Sequence, residues 1–422
     1  METQLNATLG YAVGLSGLLV TIALRSFILR LLRLLSPPIL TVIWEIRTFT
    51  RLAREISDWV TKHLLYRSFF RSKSSVDTCS RAQTILFTSY LVANLTCVFI
   101  GAKDWSEACS RAGSLATINA LLLYVGPCFS FAAGILRLRL RIYHKVHASA
   151  GFMVCILASF HAVGAVSTRR GFSLNEIGNI LAVFGLGGIC LLMMPISFFS
   201  KIFPYEFLLF IHRTIAILLG YALWLHLPAK ELFPRLYLYL LIGVFSSMIL
   251  LIGTITLFRS RCRFHSADLA WSTTPVIQIV IRLQTRLKLE PGQYINLWIP
   301  SGILSALQLH PFTVTSWSSD PTDTLVVFAK IRQGFTSNLS KQLKAGDSQK
   351  WAMFTGPHGS KLPVDRYDSV FLVATGFGIV ALLPYLQWLT YANHAHQLES
   401  HAPNPKAYRR VHLLWSVDDW GE

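Results

Sequence analysis

The sequence predicts a membrane-embedded helical bundle of about seven spans, followed by a soluble β-rich region and part of an α/β domain. Three observations carry this prediction. Of 422 residues, 53% are hydrophobic and only 14% charged, whereas soluble domains hold about 25% charged residues. Apolar segments of spanning length recur as far as Phe258. Beyond Arg263 the pattern changes to short alternating runs punctuated by turn signals.

A hydrocarbon core of about 30 Å needs about 20 apolar helical residues. Seven segments meet that length: Leu9–Leu32, Thr84–Ala102, Gly113–Leu136, His147–Val166, Ile177–Phe199, Phe207–Leu227 and Leu236–Phe258. The first reads as a retained span, because Arg25 and Arg30 follow its apolar run; a cleaved signal carries its positive charge ahead. Loop charges set the orientation. Arg47, Arg51, Arg54, Lys62, Arg67, Arg71, Lys73 and Arg81 crowd the first loop. Arg137, Arg139, Arg141 and Lys145 mark the third, and Arg259, Arg261 and Arg263 follow the last span. The intervening loops are lighter, so these basic loops and the C-terminal half are expected in the cytosol, with the N-terminus outside. Asn6-Ala7-Thr8 is then a glycosylation sequon on the outer side.

The net charge of +18 is accounted for by such loops. No nucleic-acid-binding motif accompanies it, and no nucleic-acid partner is expected. The seven cysteines form no Cys-x-x-Cys pair, so neither a disulfide framework nor a zinc or iron–sulfur site is expected.

Ionisable residues inside spans are costly and mark function. The fourth span carries His147 and His161, and the sixth carries His212 and His226; each pair is 14 residues apart. Fourteen steps of about 100° fall about 40° short of four turns, so each pair shares a helix face, separated by about 21 Å. Both spans start from the cytosolic side. His147 is therefore expected opposite His212 at the inner level, and His161 opposite His226 at the outer level. Two facing imidazoles at each level form the ligand set of a six-coordinate haem. Two haems b would make an electron path across the bilayer. Gly151, one turn after His147, offers room for a macrocycle.

In the soluble region, Val276–Leu283 alternates like a strand, and Pro291-Gly292 and Gly356-Pro357 are turn signals. Val370–Ala374 reads as a strand, Ile379–Leu389 as a helix and Arg409–Trp415 as the next strand. Gly376 and Gly378 stand at the strand-to-helix turn, where backbone amides and the helix N-terminus can receive phosphate.

The segment from His147-Ala-Ser-Ala-Gly151 through His161, with His212 and His226, resembles the ferric reductase and NADPH oxidase superfamily. Its fungal metalloreductase branch opens with a similar His-x-x-x-Gly. His310-Pro311-Phe312-Thr313, followed by Ser316, resembles the family's flavin motif. Pro291-Gly292-Gln293-Tyr294 resembles its Pro-Gly-Gln-aromatic strand, and Gly334-Phe335-Thr336 its contact with the flavin pyrophosphate. Val373-Ala374-Thr375-Gly376-Phe377-Gly378-Ile379, then Pro384, resembles its nicotinamide dinucleotide loop. The family's closing Gly-Pro-Tyr-Gly stands here as Gly356-Pro357-His358-Gly359.

The resemblance implies four regions: an N-terminal span and basic cytosolic loop (1–82), a transmembrane haem domain (83–260), a six-stranded antiparallel FAD-binding β-barrel (266–365) and a truncated nucleotide-binding domain (366–422). The full fold class is thus a membrane α-helical bundle with a bis-haem core, an antiparallel β-barrel FAD domain and a truncated α/β domain. Implied cofactors are two haems b, FAD and NADPH. Electrons from NAD(P)H would cross a membrane, expected to be the plasma membrane, to ferric or cupric chelates, in support of metal uptake. The alternatives are a superoxide-producing NADPH oxidase and a non-enzymatic haem or flavin carrier. No side chain need act as acid or base, because positioning and redox potential carry the reaction. The choice between NADH and NADPH, and between a homo- and a hetero-oligomer, is left open.

Overall fold

The computed structural model describes residues 2–34, 55–69, 79–124, 129–136, 140–168, 173, 175–194, 196–227, 232–273, 275–362, 364, 367–398 and 410–417. Arg47, Arg51, Arg54, Arg71, Lys73, Arg137, Arg139 and Arg409, named above, lie outside them. The chain forms two compact units: Met1–Pro127 with Arg141–Met193 and Leu219–Leu241, and Cys128–Leu140 with Met194–Leu218 and Ile242–Glu422.

Five helices among the described residues are long and apolar enough to cross a membrane, with spanning stretches at Ala7–Ile28, Arg81–Phe99, Leu140–Thr168, Tyr205–His226 and Arg235–Arg259. They belong to α1 (Glu2–Leu34), α2 (Arg81–Phe99), α5 (Leu140–Thr168), α7 (Tyr205–His226) and α8 (Leu232–Arg259). Two of the seven expected spans are not single long helices. Where Gly113–Leu136 was expected to cross, the chain forms α3 (Trp105–Ala120), a turn, and α4 (Phe129–Leu136). The expected span Ile177–Phe199 is divided into α6 (Ile177–Leu192) and a four-residue helix, Ile196–Phe199. The sequon falls inside α1, where Thr8 is buried.

The first unit is organised around α3. Asp104 caps its N-terminus by accepting from the Glu107 amide at 2.7 Å. Ala108, Ala112, Leu115 and Ile118 pack with Val98, Met153 and Leu157. Buried Arg111 donates to the carbonyls of Ile100 (2.7 Å) and Gly101 (3.0 Å), which end α2, and pairs with Glu107. A cation thereby satisfies carbonyls that a helix C-terminus leaves unpaired. Asn119 donates to Asn94 at 2.8 Å and accepts from Tyr11 at 2.7 Å, and Tyr90 also donates to it. A fully paired polar network of this kind fixes one helix register in an apolar surround.

In the second unit, six strands form one antiparallel sheet in the order β4-β3-β6-β1-β2-β5. They are β1 (His265–Thr273), β2 (Val276–Leu287), β3 (Tyr294–Trp298), β4 (His310–Thr313), β5 (Thr322–Lys330) and β6 (Gln349–His358). Alternate residues face inward, among them Ile277, Ile279, Ile281, Ile295, Leu297, Leu325, Val327 and Phe354. The sheet curls until its two edges meet: Thr315, just after β4, donates its amide to Val326 of β5 at 2.8 Å. Helix α9 (Phe335–Lys344) adds Phe335 and Leu339 to this core. The α/β segment follows. β7 (Ser369–Thr375) pairs in parallel with β8 (Arg410–Ser416), and Val370 and Leu372 pack on Tyr385 and Leu389 of α10 (Leu383–Leu398).

Candidate functional site

Both expected histidine pairs lie on continuous helices, His147 and His161 on α5 and His212 and His226 on α7. Within the first unit, the rings of His161 and His226 face each other with centroids 6.4 Å apart and planes at 85°. Helix α3 sets the His161 ring. Its Nδ1 lies 2.8 Å from the carbonyl oxygen of Cys109. A carbonyl only accepts, so the proton sits on Nδ1 and leaves Nε2 as the lone-pair nitrogen. Helices α3 and α5 approach closely because each offers a glycine. A Cβ on Gly113 would lie 2.8 Å from His161 Nδ1, and one on Gly164 would lie 1.8 Å from Cys109 Sγ. Small residues at such crossings let helices pack backbone to backbone. His147 lies in the first unit and His212 in the second. Gly151 has Met193 Sδ 3.5 Å from where its Cβ would be, an ordinary contact distance.

In the second unit, His310-Pro311-Phe312-Thr313 form β4 as expected, paired with β3. His310 stacks on Phe335, with centroids 3.9 Å apart and planes within 10°. Burial pushes the His310 imidazole down to about 4, opposed by the nearby Glu206 carboxylate and assisted by Arg213. His310 is therefore neutral near pH 7. Ser316 Oγ accepts from the Val326 amide at 3.1 Å. Thr336 Oγ1 accepts from the Arg332 amide at 2.8 Å, so its hydroxyl helps to shape the turn before α9.

Gly334 precedes α9 with φ of 77°, a conformation that favours glycine. Its open side is met by Glu206, from the first turn of α7. A Cβ on Gly334 would lie 2.0 Å from Glu206 Oε2. Glu206 Oε1 accepts from the Phe335 amide at 2.9 Å, and the Glu206 carbonyl accepts from Gln308 at 2.8 Å. Glu206 Oε2 is buried without a hydrogen-bond partner. Glu206, Gly334 and Phe335 border a cavity of about 480 Å³, also lined by Pro204, Ser305, Asn338 and Lys341. The Glu206 carboxylate is itself the anion at the N-terminus of α9.

At the dinucleotide loop, β7 ends at Thr375 and Gly376 takes φ of 48°. Its carbonyl accepts from Trp415 Nε1 at 2.9 Å. Nothing lies within 4 Å of a Cβ built on Gly376 or Gly378, so the turn is open. The helix expected from Ile379 begins later. Gly376–Ala381 is a 3-10 turn, including Ile379, and α10 starts at Leu383. Pro384 explains the shift, because proline suits the first turn of an α-helix and not its interior.

Sequence reasoning did not single out Glu206, Cys109 or Gly113. Glu206 carried a signal, an acidic residue in the first turn of a span six residues before His212. Gly113 and Cys109 carried a weaker one, small residues four apart in sequence. Tyr385 was also missed; its hydroxyl accepts from the Leu362 amide at 3.0 Å and lies against Gly292 of the Pro291-Gly292 turn.

Residues 261–365 match a family profile described as a FAD-binding domain. Ferric reductase transmembrane component 3 of Saccharomyces cerevisiae is 28% identical over 203 residues, covering 46% of this chain and 27% of that protein. Ferric/cupric reductase transmembrane component 2 of the same yeast is 29% identical over 205 residues, with the same coverage of both chains. The chain is thus similar to ferric reductases over part of its length. Ferric reduction oxidase 5 of Arabidopsis thaliana is 30% identical over 132 residues, 31% of this chain and 18% of that protein. The chain spans about a quarter of the length of these yeast relatives. Its FAD-binding match takes in β1 to β6 and α9, and with them His310, Ser316, Gly334 and Thr336.

Proposed function

We propose that this chain carries electrons across a membrane, from NAD(P)H through FAD and two b-type haems to ferric or cupric chelates on the far side. One observation carries the reading: the facing imidazoles of His161 and His226. Their ring centroids lie 6.4 Å apart, and the two side chains would together hold a haem, which would supply one-electron carriage. Cys109 holds His161 in the tautomer that such ligation needs.

Bound haem and flavin supply the one-electron carriage, and flavin also accepts hydride. The chain supplies binding and orientation. Neutral His310 fits a flavin better than a charged side chain would, and Gly334, Phe335 and Thr336 are the residues proposed to meet its pyrophosphate. Thr375, Gly376, Gly378 and Ile379 are the residues proposed to receive the dinucleotide. The basic loops orient the flavin side toward the cytosol of a plasma-membrane protein.

The test is vectorial reduction. Proteoliposomes holding the full chain, with ferric chelate outside and reductant supplied to the flavin side, are assayed for ferrous iron with an impermeant chelator. The reading expects trapped ferrous iron outside that is lost in His226→Ala. Iron reduction abolished by superoxide dismutase would instead make oxygen the acceptor. No reduction of external iron would overturn the proposal.

A further inference from the structure

The outer face of the flavin barrel carries an aromatic patch that the proposed electron path does not use. On β6, Ala352 and Phe354 face the core, so Trp351 and Met353 face outward. Trp298 stands opposite Met353 in the sheet register. Phe264 stacks on Trp298 (centroids 5.9 Å, 24°) and meets Trp351 edge-on (5.9 Å, 81°). Trp298 Nε1 donates to Ala306 at 2.8 Å, which brings the turn bearing Ile303 and Leu307 alongside. Trp351 is 67% exposed, Ile303 87% and Leu307 64%. Outward positions of an isolated soluble barrel are ordinarily polar, and a contiguous apolar patch of this kind marks an interaction surface.

The position of the patch selects its occupant. Spanning helix α8 ends at Arg259, and Phe264 is only five residues further on. Five residues reach at most about 18 Å, and this stretch is far from extended. Cys262 donates back to Leu257 at 2.8 Å, and Arg261 and Cys262 take φ of 51° and 57°. Thr285 of β2 donates to the Arg259 carbonyl at 3.0 Å, so the barrel is hydrogen-bonded to the end of the span itself. The headgroup layer begins where the span ends. Exposed Arg261 and Arg263 lie in the same turn. Trp flanked by basic side chains is the composition that settles at headgroup level against anionic lipid.

We infer that Phe264, Trp298 and Trp351, with Ile303 and Leu307, seat the barrel in the anionic headgroup layer at the Arg259 end of α8. This surface fixes the barrel's height and tilt at the bilayer, independently of any bound cofactor.

The test uses the full chain in vesicles of phosphatidylcholine with or without phosphatidylserine. The emission of Trp351 is obtained as the difference between the native chain and Trp351→Phe, which keeps an aromatic ring. The inference expects this emission to be quenched by lipid carrying a nitroxide near the headgroup, and shielded about twofold or more from aqueous iodide. Arg261→Gln with Arg263→Gln reduces the lipid quenching in vesicles containing phosphatidylserine and leaves it unchanged without it. Trp351 emission that iodide quenches and nitroxide lipid leaves untouched overturns the inference. Shielding that appears only when each vesicle holds more than one chain assigns the patch to a second copy, and equally overturns it.

Discussion

Replacing Gly113 by alanine tests the way α3 positions His161. The new Cβ would lie 2.8 Å from Nδ1, 3.0 Å from Cε1 and 3.1 Å from Cγ of His161. Ordinary contacts begin near 3.4 Å, so the ring must move by roughly half an ångström. Displacement off its rotamer costs about 1 kcal/mol. Weakening the bond to the Cys109 carbonyl costs about another 1 kcal/mol. The sum, about 2 kcal/mol, is roughly a 30-fold loss of haem affinity at the level of His161 and His226. That falls within the 10- to 100-fold range typical for groups that orient a metal ligand. The assay is titration of the purified apoprotein with haemin, followed at the Soret band. Gly113→Ala should weaken one of two binding phases about 30-fold and leave the other intact. Gly187→Ala, whose Cβ meets nothing within 4 Å, should alter neither. Two unchanged phases in Gly113→Ala would refute the reasoning.

Four further outcomes are expected. Gly334→Ala forces a side chain into Glu206 at a φ of 77° and should lower FAD content more than tenfold by flavin fluorescence, since strain and displacement together cost about 2–3 kcal/mol. Glu206→Gln keeps an acceptor for the Phe335 amide and should retain flavin, whereas Glu206→Ala leaves that buried amide unpaired and should destabilise the barrel by about 1–3 kcal/mol in thermal unfolding. Arg111→Met leaves the carbonyls of Ile100 and Gly101 without their donor and should lower the stability of the first unit by about 1–3 kcal/mol, read as an earlier melt. The barrel should also be acid-labile. Burial, assisted by Arg259, lowers His358 to about 4, and His310 is lowered similarly. Each is neutral when folded but binds a proton near pH 6.5 when unfolded. Their contribution is thus complete above pH 6.5 and is lost progressively as pH falls toward 4. Chemical denaturation between pH 7 and 4.5 should show that loss, and His358→Gln should reduce it; equal slopes would remove His358 from the account.

Much of the architecture was legible because its signals are local. Alternation placed β2, and the strand of Val370–Ala374 and the strand of Arg409–Trp415 appear within a residue of their expected ends. Apolar length identified the five helices among the described residues that are long and apolar enough to cross a membrane. Gly113–Leu136 and Ile177–Phe199 do not form single long helices, because hydropathy reports apolar length and not helix continuity. Pro384 explains the late start of α10 at Leu383. The 14-residue histidine spacing was readable, since helical periodicity is a property of sequence. The contacts of His161 with Cys109 and Gly113 were not, because they join helices 52 and 48 residues apart in sequence. Glu206 was missed for the same reason: its partners, Gln308 and Phe335, lie more than a hundred residues further along the chain.

The most direct measurement is a haem count on the purified full chain by pyridine haemochrome assay. The account predicts two b-type haems per chain, falling to one in His226→Ala and in His161→Ala. A chain that binds no haem, or one whose haem content survives both substitutions unchanged, would contradict it.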